Sequence, residues 1–136
     1  MDKVAKFAQQ YLKTALPEFR SGDSVKVYQK VKEGDKERTQ IFEGLVIARK
    51  HGKGTDAMFT VRKVTAGVGV EKTYPLHSPR IEKIEVVRRT KARRSKLYFV
   101  RYAKGKRARM KGVRAEIQAV VQPEPAQEEI KEPASQ

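Results

Sequence analysis

The chain has 136 residues, with 31 Lys or Arg against 16 Asp or Glu and a formal net charge of +15. That length admits one domain of ordinary size, and the charge predicts polyanionic partners. No Cys and no Trp are present, and 38% of residues are hydrophobic. A disulfide framework, thiolate metal sites and a cysteine nucleophile are therefore excluded, and a deep pocket for a small-molecule substrate is not expected.

The opening segment reads as an amphipathic helix. Val4, Phe7, Ala8, Tyr11, Leu12 and Ala15 recur at three- and four-residue spacing, opposite Lys3, Lys6, Gln10 and Lys13. Asp2 is a candidate N-cap, and Pro17 disfavours helical geometry in Leu16. The segment lacks a continuous apolar signal core, and no apolar run is long enough to cross a bilayer, so a soluble, unprocessed protein is expected. A β-rich stretch follows. Val25, Val27 and Val31 alternate with lysines, and Gly34-Asp35 reverses the chain. A longer strand over residues 38–49 contains Gly44, the mark of a bulge or tight bend. Residues 58–64, 70–74 and 81–87 complete about five short strands, a small curved sheet or barrel rather than a βαβ layout. The stretch 97–100 is compatible with a strand or one turn of helix, and helix is the preferred reading.

Charge divides the chain more sharply than hydropathy does. Residues 88–114 hold thirteen Lys or Arg and no acid, whereas residues 115–136 carry five Glu and one Lys. The expected organisation is an N-terminal helix at 1–18, a β body at 19–90, a basic extension at 91–114 and an acidic, disordered tail at 115–136.

Catalytic and metal signatures are weak. His51 and His77 lie in separate loops, Ser78 beside His77 has no nucleophile elbow, and no carboxylate cluster or His-x-x-x-His pair occurs. Gly52-Lys53-Gly54 and Gly67-Val68-Gly69 lie between strands and fit neither the Walker pattern nor the dinucleotide fingerprint. They read as hairpin turns, with Lys53 placed to touch a phosphate. No enzyme, cofactor or metal is expected.

The acid-free strip is the strongest signal. Like charges at short range repel, so such a run persists only where an anion neutralises it. Polyphosphate does so and releases counterions, while Arg adds forked donors suited to phosphate. Leu97-Tyr98-Phe99-Val100 and Tyr102 interrupt the strip and supply a means of docking it on a packed body. This argues against a free tail or a membrane-surface segment. No helix-turn-helix, zipper, RRM or KH signature is present, which favours phosphate and shape recognition of folded RNA.

The order of residues then carries a resemblance. FRSGDSVKV, QIFEGLVIARK, FTVRKV, GVGVEKTYPLHSPRIEKIEVVRR and RRSKLYFVR closely resemble the bacterial large-subunit ribosomal protein nineteen family, in order over about residues 19–111. The resemblance implies a mainly β protein: a small SH3-like β-barrel with an N-terminal amphipathic helix and a basic C-terminal extension. It implies binding to 23S rRNA, contact with 16S rRNA across the subunit interface, neighbouring large-subunit ribosomal proteins, a cytoplasmic ribosomal location and an influence on the aminoacyl-tRNA site. By position, the implied RNA contacts are Arg49, Lys50, Arg62, Arg80, Arg88, Arg89, Arg93, Arg94, Lys96 and Arg101. Lys91 belongs to the same strip, and Lys104, Lys106, Arg107, Arg109 and Lys111 fit the family's basic C-terminal stretch. For His77 the expected role is holding its loop or making a single RNA hydrogen bond. Two departures stand out: Ala66 where the family often has an aromatic residue, and the long acidic ending. The competing readings are a free RNA-binding regulator of translation or transcription and an RNA-modifying enzyme.

Overall fold

The computed structural model describes residues 2–108 and 110–112. Five strands, β1 (Ser24–Glu33), β2 (Lys36–Lys50), β3 (Met58–Thr65), β4 (Val68–Pro75) and β5 (Ile81–Arg88), form one antiparallel sheet in the order β4-β3-β2-β1-β5. The first four strands follow one another as hairpins, and β5 returns to the other side of β1. The mainly β expectation is met, and the strand boundaries read from alternation differ by only a few residues. Between β3 and β4 the two turn residues, Ala66 and Gly67, both have positive φ, 51° and 77°. That is the twist a two-residue hairpin loop requires.

All five strands feed one apolar cluster. Val25 and Val27 of β1 meet Phe42 and Val46 of β2, Phe59 and Val61 of β3, Tyr74 of β4, and Ile81 and Ile84 of β5, with Phe19, Ala57 and Leu76 from the connections. A flat sheet would hold its outer strands too far apart to share a core, so the sheet is strongly coiled. Aromatic rings fill its centre: Phe19 and Phe59 meet edge-on at 5.1 Å, and Tyr74 stands 5.6 Å from Phe59. Ile81 and Ile84 are three apart yet both inward, because the β1–β5 register shifts between Tyr28 and Gln29.

The β3 backbone comes close to β2 at Gly44. Its pairing with Val25 in β1 is regular, so it is not itself a bulge. A Cβ at this position would instead fall on the carbonyl of Arg62 in β3 and within 2.9 Å of Val61 Cγ1. The bulge lies just beyond, where the β2–β3 register shifts between Val46 and Ala48. Val46, Ile47 and Ala48 are all buried, and Ala48 shares a side with Ile47 rather than with Val46, a departure from strict alternation. Val46 enters the main core, and Ile47 and Ala48 enter a second cluster.

The N-terminal helix, α1 (Lys3–Gln9), is shorter than the apolar spacing suggested and buries no residue. Val4, Phe7 and Tyr11 remain exposed, and Asp2 precedes the helix without a side-chain capping bond. The cause lies in Lys13. Its backbone N–H donates to His77 Nδ1 at 3.0 Å, and its ammonium donates to the carbonyls of Ser78, at 2.7 Å, and Ile81. These bonds lay residues 12–17 along the start of β5, and a seven-residue helix without tertiary packing has little to extend it. The region 97–100 is helical, as preferred, but as a 3-10 turn, Tyr98–Arg101, followed by a second at Gly105–Ala108. The expectations for Arg109 and for the acidic tail lie outside the described residues.

Because the atoms opposing a side chain at Gly44 are largely backbone, Gly44→Ala is expected to destabilise by about 1–3 kcal/mol, the usual cost of overpacking. A drop in melting temperature of roughly 4–8 °C per kcal/mol is the measurement; an unchanged melting temperature would show that β2 and β3 separate freely there.

Candidate nucleic-acid interface

The basic extension is a closed loop rather than a tail. Thr90 and Gly112 form an antiparallel bridge, and the Lys91 N–H donates to the Lys111 carbonyl at 3.2 Å. Both ends of residues 90–112 therefore meet at one neck.

A turn before β1 holds that neck. Asp23 is 5% exposed, and its carboxylate accepts from the backbone N–H of Arg20 at 2.9 Å and, more loosely, of Thr90 at 3.4 Å. The Thr90 hydroxyl donates to the Gly22 carbonyl. Gly22 and Asp23 in turn exchange backbone bonds with Val46, at 2.8 and 2.9 Å. Gly22 has φ 102°, and a Cβ there would stand 3.0 Å from Ala92 Cβ and 3.1 Å from Thr90 Oγ1. Only glycine lets the loop pass this close.

Beyond the neck the loop is pinned to the outer side of β2. Leu97 is 1% exposed, packs with Ile47 and Ala48, and donates its N–H to the Ile47 carbonyl at 2.7 Å. Leu45, Ala92, Tyr98, Val100 and Met110 surround this cluster, so outgoing and returning arms share one apolar anchor. Ile47, which alternation places opposite Val46, and Ala48, which the bulge turns to the same side, form the receptor for Leu97.

A third attachment lies on β4. The Glu71 carboxylate accepts a two-point contact from Arg101, Nε to Oε1 at 2.7 Å and Nη2 to Oε2 at 2.8 Å. Arg62 of β3 donates to the same Oε1 at 2.9 Å. Arg101 also stacks on Tyr98, 4.7 Å from the ring centre. The Arg101 guanidinium first, and then that of Arg62, holds the Glu71 carboxyl below its ordinary range against the opposing effect of burial.

The candidate bases therefore fall into two groups. Arg49 lies over the Phe19 ring at 4.7 Å and donates to the carbonyls of Phe19 and Gly52; burial lowers its pKa. Arg62 and Arg101 are engaged by Glu71, Lys53 pairs with Glu18 at 3.3 Å, and Arg89 donates to the Glu18 carbonyl at 3.2 Å. His77 uses both ring nitrogens: Nδ1 accepts from Lys13, and Nε2 lies 3.1 Å from the Lys53 carbonyl. Ser78 does not bond to it; its hydroxyl instead accepts from the Arg80 N–H at 3.3 Å. Lys50, Arg80, Arg88, Lys91, Arg93, Arg94, Lys96, Lys104, Lys106, Arg107 and Lys111 are exposed and, among the described residues, have no carboxylate partner.

Some of these bases converge. An open groove beside the neck is lined by Arg20, Arg49 and Lys53 together with Arg93 and Arg94. Arg20 was not singled out in the sequence; its place beside the turn that grips Thr90 brings it there. Arg80 lies elsewhere, near Gln29, Lys30 and Lys32 of the β1–β2 hairpin. On the faces of β1, β2 and β5, by contrast, acids and bases alternate: Lys26 with Glu43, Lys30 with Glu82, Lys83 with Glu85. Neither of the two acids that organise the loop belongs to a charge run: Asp23 reads in the sequence only as part of the Gly22-Asp23 turn, and Glu71 by itself carries no signal of its role. A signal was present nonetheless, since a docked cationic strip needs internal anions and acids are scarce near it in sequence. Among the described residues no cluster of acids and histidines is arranged to hold a metal ion, and no helix is long and apolar enough to cross a membrane.

Compared with models of protein families, residues 2–113 match the one described as ribosomal protein L19, which covers most of the chain.

The depressed pKa of Glu71 fixes a pH dependence. The folded state favours the ionised carboxylate, so the contribution of Glu71 is present at neutral pH. It is lost as pH falls below the ordinary glutamate value of about 4.3 and through the lower folded one. Hydrogen-exchange protection of the Val100, Tyr102 and Ala103 amides, corrected for intrinsic rates, should therefore decline on acidification before the core amides do. In Glu71→Gln it should be low already and flat across that window. Wild-type protection that persists to pH 3 would show that the carboxylate contributes nothing to the loop.

Proposed function

The chain belongs to the ribosomal protein L19 family, and from that premise we propose how it takes its place in the particle. Family membership makes it a structural, non-enzymatic protein of the large subunit of the cytoplasmic ribosome, with ribosomal RNA and neighbouring ribosomal proteins as partners. The finer reading is that the 90–112 loop and the adjoining groove clamp 23S rRNA. The coiled sheet is an SH3-like barrel over residues 19–90 that serves as the rigid support. The segment at 1–18, the extension at 91–114 and the acidic tail at 115–136 are its appendages. Contact with 16S rRNA across the subunit interface, with an influence on the aminoacyl-tRNA site, belongs to the same reading.

The observation that carries it is the contrast between docking and neutralisation. The loop is fastened at its neck, at Leu97 and at Arg101, yet Arg93, Arg94, Lys96, Lys104, Lys106 and Arg107 have no anion beside them among the described residues. Holding unneutralised cations close together costs electrostatic free energy, which a bound polyphosphate recovers. The fastening also limits the entropy lost on binding, since the bases are already placed. The mixed-charge faces of β1, β2 and β5 offer no such excess and suit protein neighbours.

Two measurements test this. If six to ten phosphates are neutralised, affinity for 23S rRNA should fall by about 10³–10⁵ between about 50 and 200 mM salt. Arg93→Ala with Arg94→Ala should reduce the slope of log affinity against log salt by ~1.4–1.8. The melting temperature should move by no more than about 2–4 °C, because both side chains are exposed. A salt-independent affinity, or a large loss of melting temperature, contradicts the clamp. A free regulatory RNA-binding module is separated by sedimentation through high salt: an integral component stays with the large particle and a factor washes off.

A further inference from the structure

We propose that Glu71, an acid, is a positioning residue for RNA binding: its removal weakens specific binding even though it makes the protein more positive. This rests on the reading that the 90–112 loop binds ribosomal RNA.

The 3-10 turn Tyr98–Arg101 is held at its entry by Leu97, buried on Ile47, and at its exit by Arg101, bound to Glu71. Leu97, with Tyr98 and Val100 packed beside it, fixes the entry, and the Glu71 contact fixes the exit. Lys104, Lys106 and Arg107 follow directly, so their placement depends on the Glu71 contact. Arg62 and Arg101 both donate to the same Oε1, which brings two guanidinium groups together across one carboxylate. Among the described residues no other acid pairs with either of them. With Glu71 neutralised, the two cations repel and the exit of the turn is driven from the sheet. The Arg62 side chain is 16% exposed and that of Arg101 40%, so water screens this repulsion only in part.

A purely electrostatic surface behaves in the opposite way. There, loss of any acid raises the net charge and tightens binding to every polyanion. The sign of the effect therefore separates positioning from charge.

The full-length wild type, Glu71→Gln and Glu33→Gln are compared on a 23S rRNA transcript and on polyuridylate. Glu33 pairs with Arg38 on the exposed β1–β2 hairpin, so its substitution makes the same charge change away from the loop. Glu71→Gln should bind the transcript about 5- to 10-fold more weakly, in the range of coupling between linked sites. It should bind polyuridylate as well as the wild type or better. Glu33→Gln should lose affinity for neither. Arg101→Gln should lose as much as Glu71→Gln, and the double variant no more than either alone. Additive losses would make Arg101 a direct RNA contact and overturn the proposal. So would unchanged or tighter binding of the transcript by Glu71→Gln, or an equal loss on both RNAs, which marks general destabilisation. If Glu71→Gln fails to fold, the Arg101→Gln comparison on the two RNAs decides. A wild type that does not bind the transcript removes the RNA reading itself, and this inference with it.

Discussion

The cation-rich loop at residues 90–112 stays against a cationic body because, besides the Glu71 contact with Arg101, Leu97 is buried on Ile47 and Ala48. Fully burying a leucine side chain contributes about 1.5–3 kcal/mol, and the Leu97 to Ile47 backbone bond adds about 1 kcal/mol. These contributions do not weaken with ionic strength, whereas the repulsion they oppose does. The apolar anchor thus keeps the loop docked before any RNA is present and leaves its charges outward.

The anchor depends on an irregularity in β2. Had pairing with β3 run without a shift between Val46 and Ala48, Ala48 would have followed Val46 toward the main core and left Ile47 to meet Leu97 without it. While Val46 faces the main core, the shift places Ala48 on the side that faces the loop, beside Ile47. Gly44, three residues earlier, allows the β3 backbone to close on β2 at the approach to this distortion. Asp23 and Gly22 complete the arrangement by tying the neck of the loop to Val46. The contacts that fix the functional segment therefore concentrate on a short stretch of β2.

Bases in such a protein do two kinds of work, and exposure separates them. Arg49, Arg62 and Lys13 lie partly buried, with carbonyl or carboxylate partners that offset lost hydration. Burial lowers the pKa of Lys13 and of Arg49, the expected direction for a cation withdrawn from water. Arg93, Arg94 and Lys96 are exposed and stay available to an external anion. Residue type alone does not distinguish the groups, since Arg62 and Arg94 are equally charged and differ only in what surrounds them.

The strands were legible from alternation, because the first halves of β1 and β3 and the middle of β2 bury alternate residues against one core. The turns were legible because Gly34 and Gly67 occupy positive φ. The cationic strip, its lack of acids and the family resemblance were likewise carried by composition and order. The early end of α1 was not legible: the period of its apolar residues is right, but Lys13 is held by His77, Ser78 and Ile81, which lie far along the chain. Nor was the closure of residues 90–112 into a loop, the pairing of Glu71 with two arginines, or the internal engagement of His77. Periodicity and charge counts report what a residue does to its near neighbours in sequence, so they fixed strand, turn and overall electrostatics. Which arginine faces water and which faces a carboxylate depends on contacts between residues tens of positions apart, and only the folded sheet brings those together.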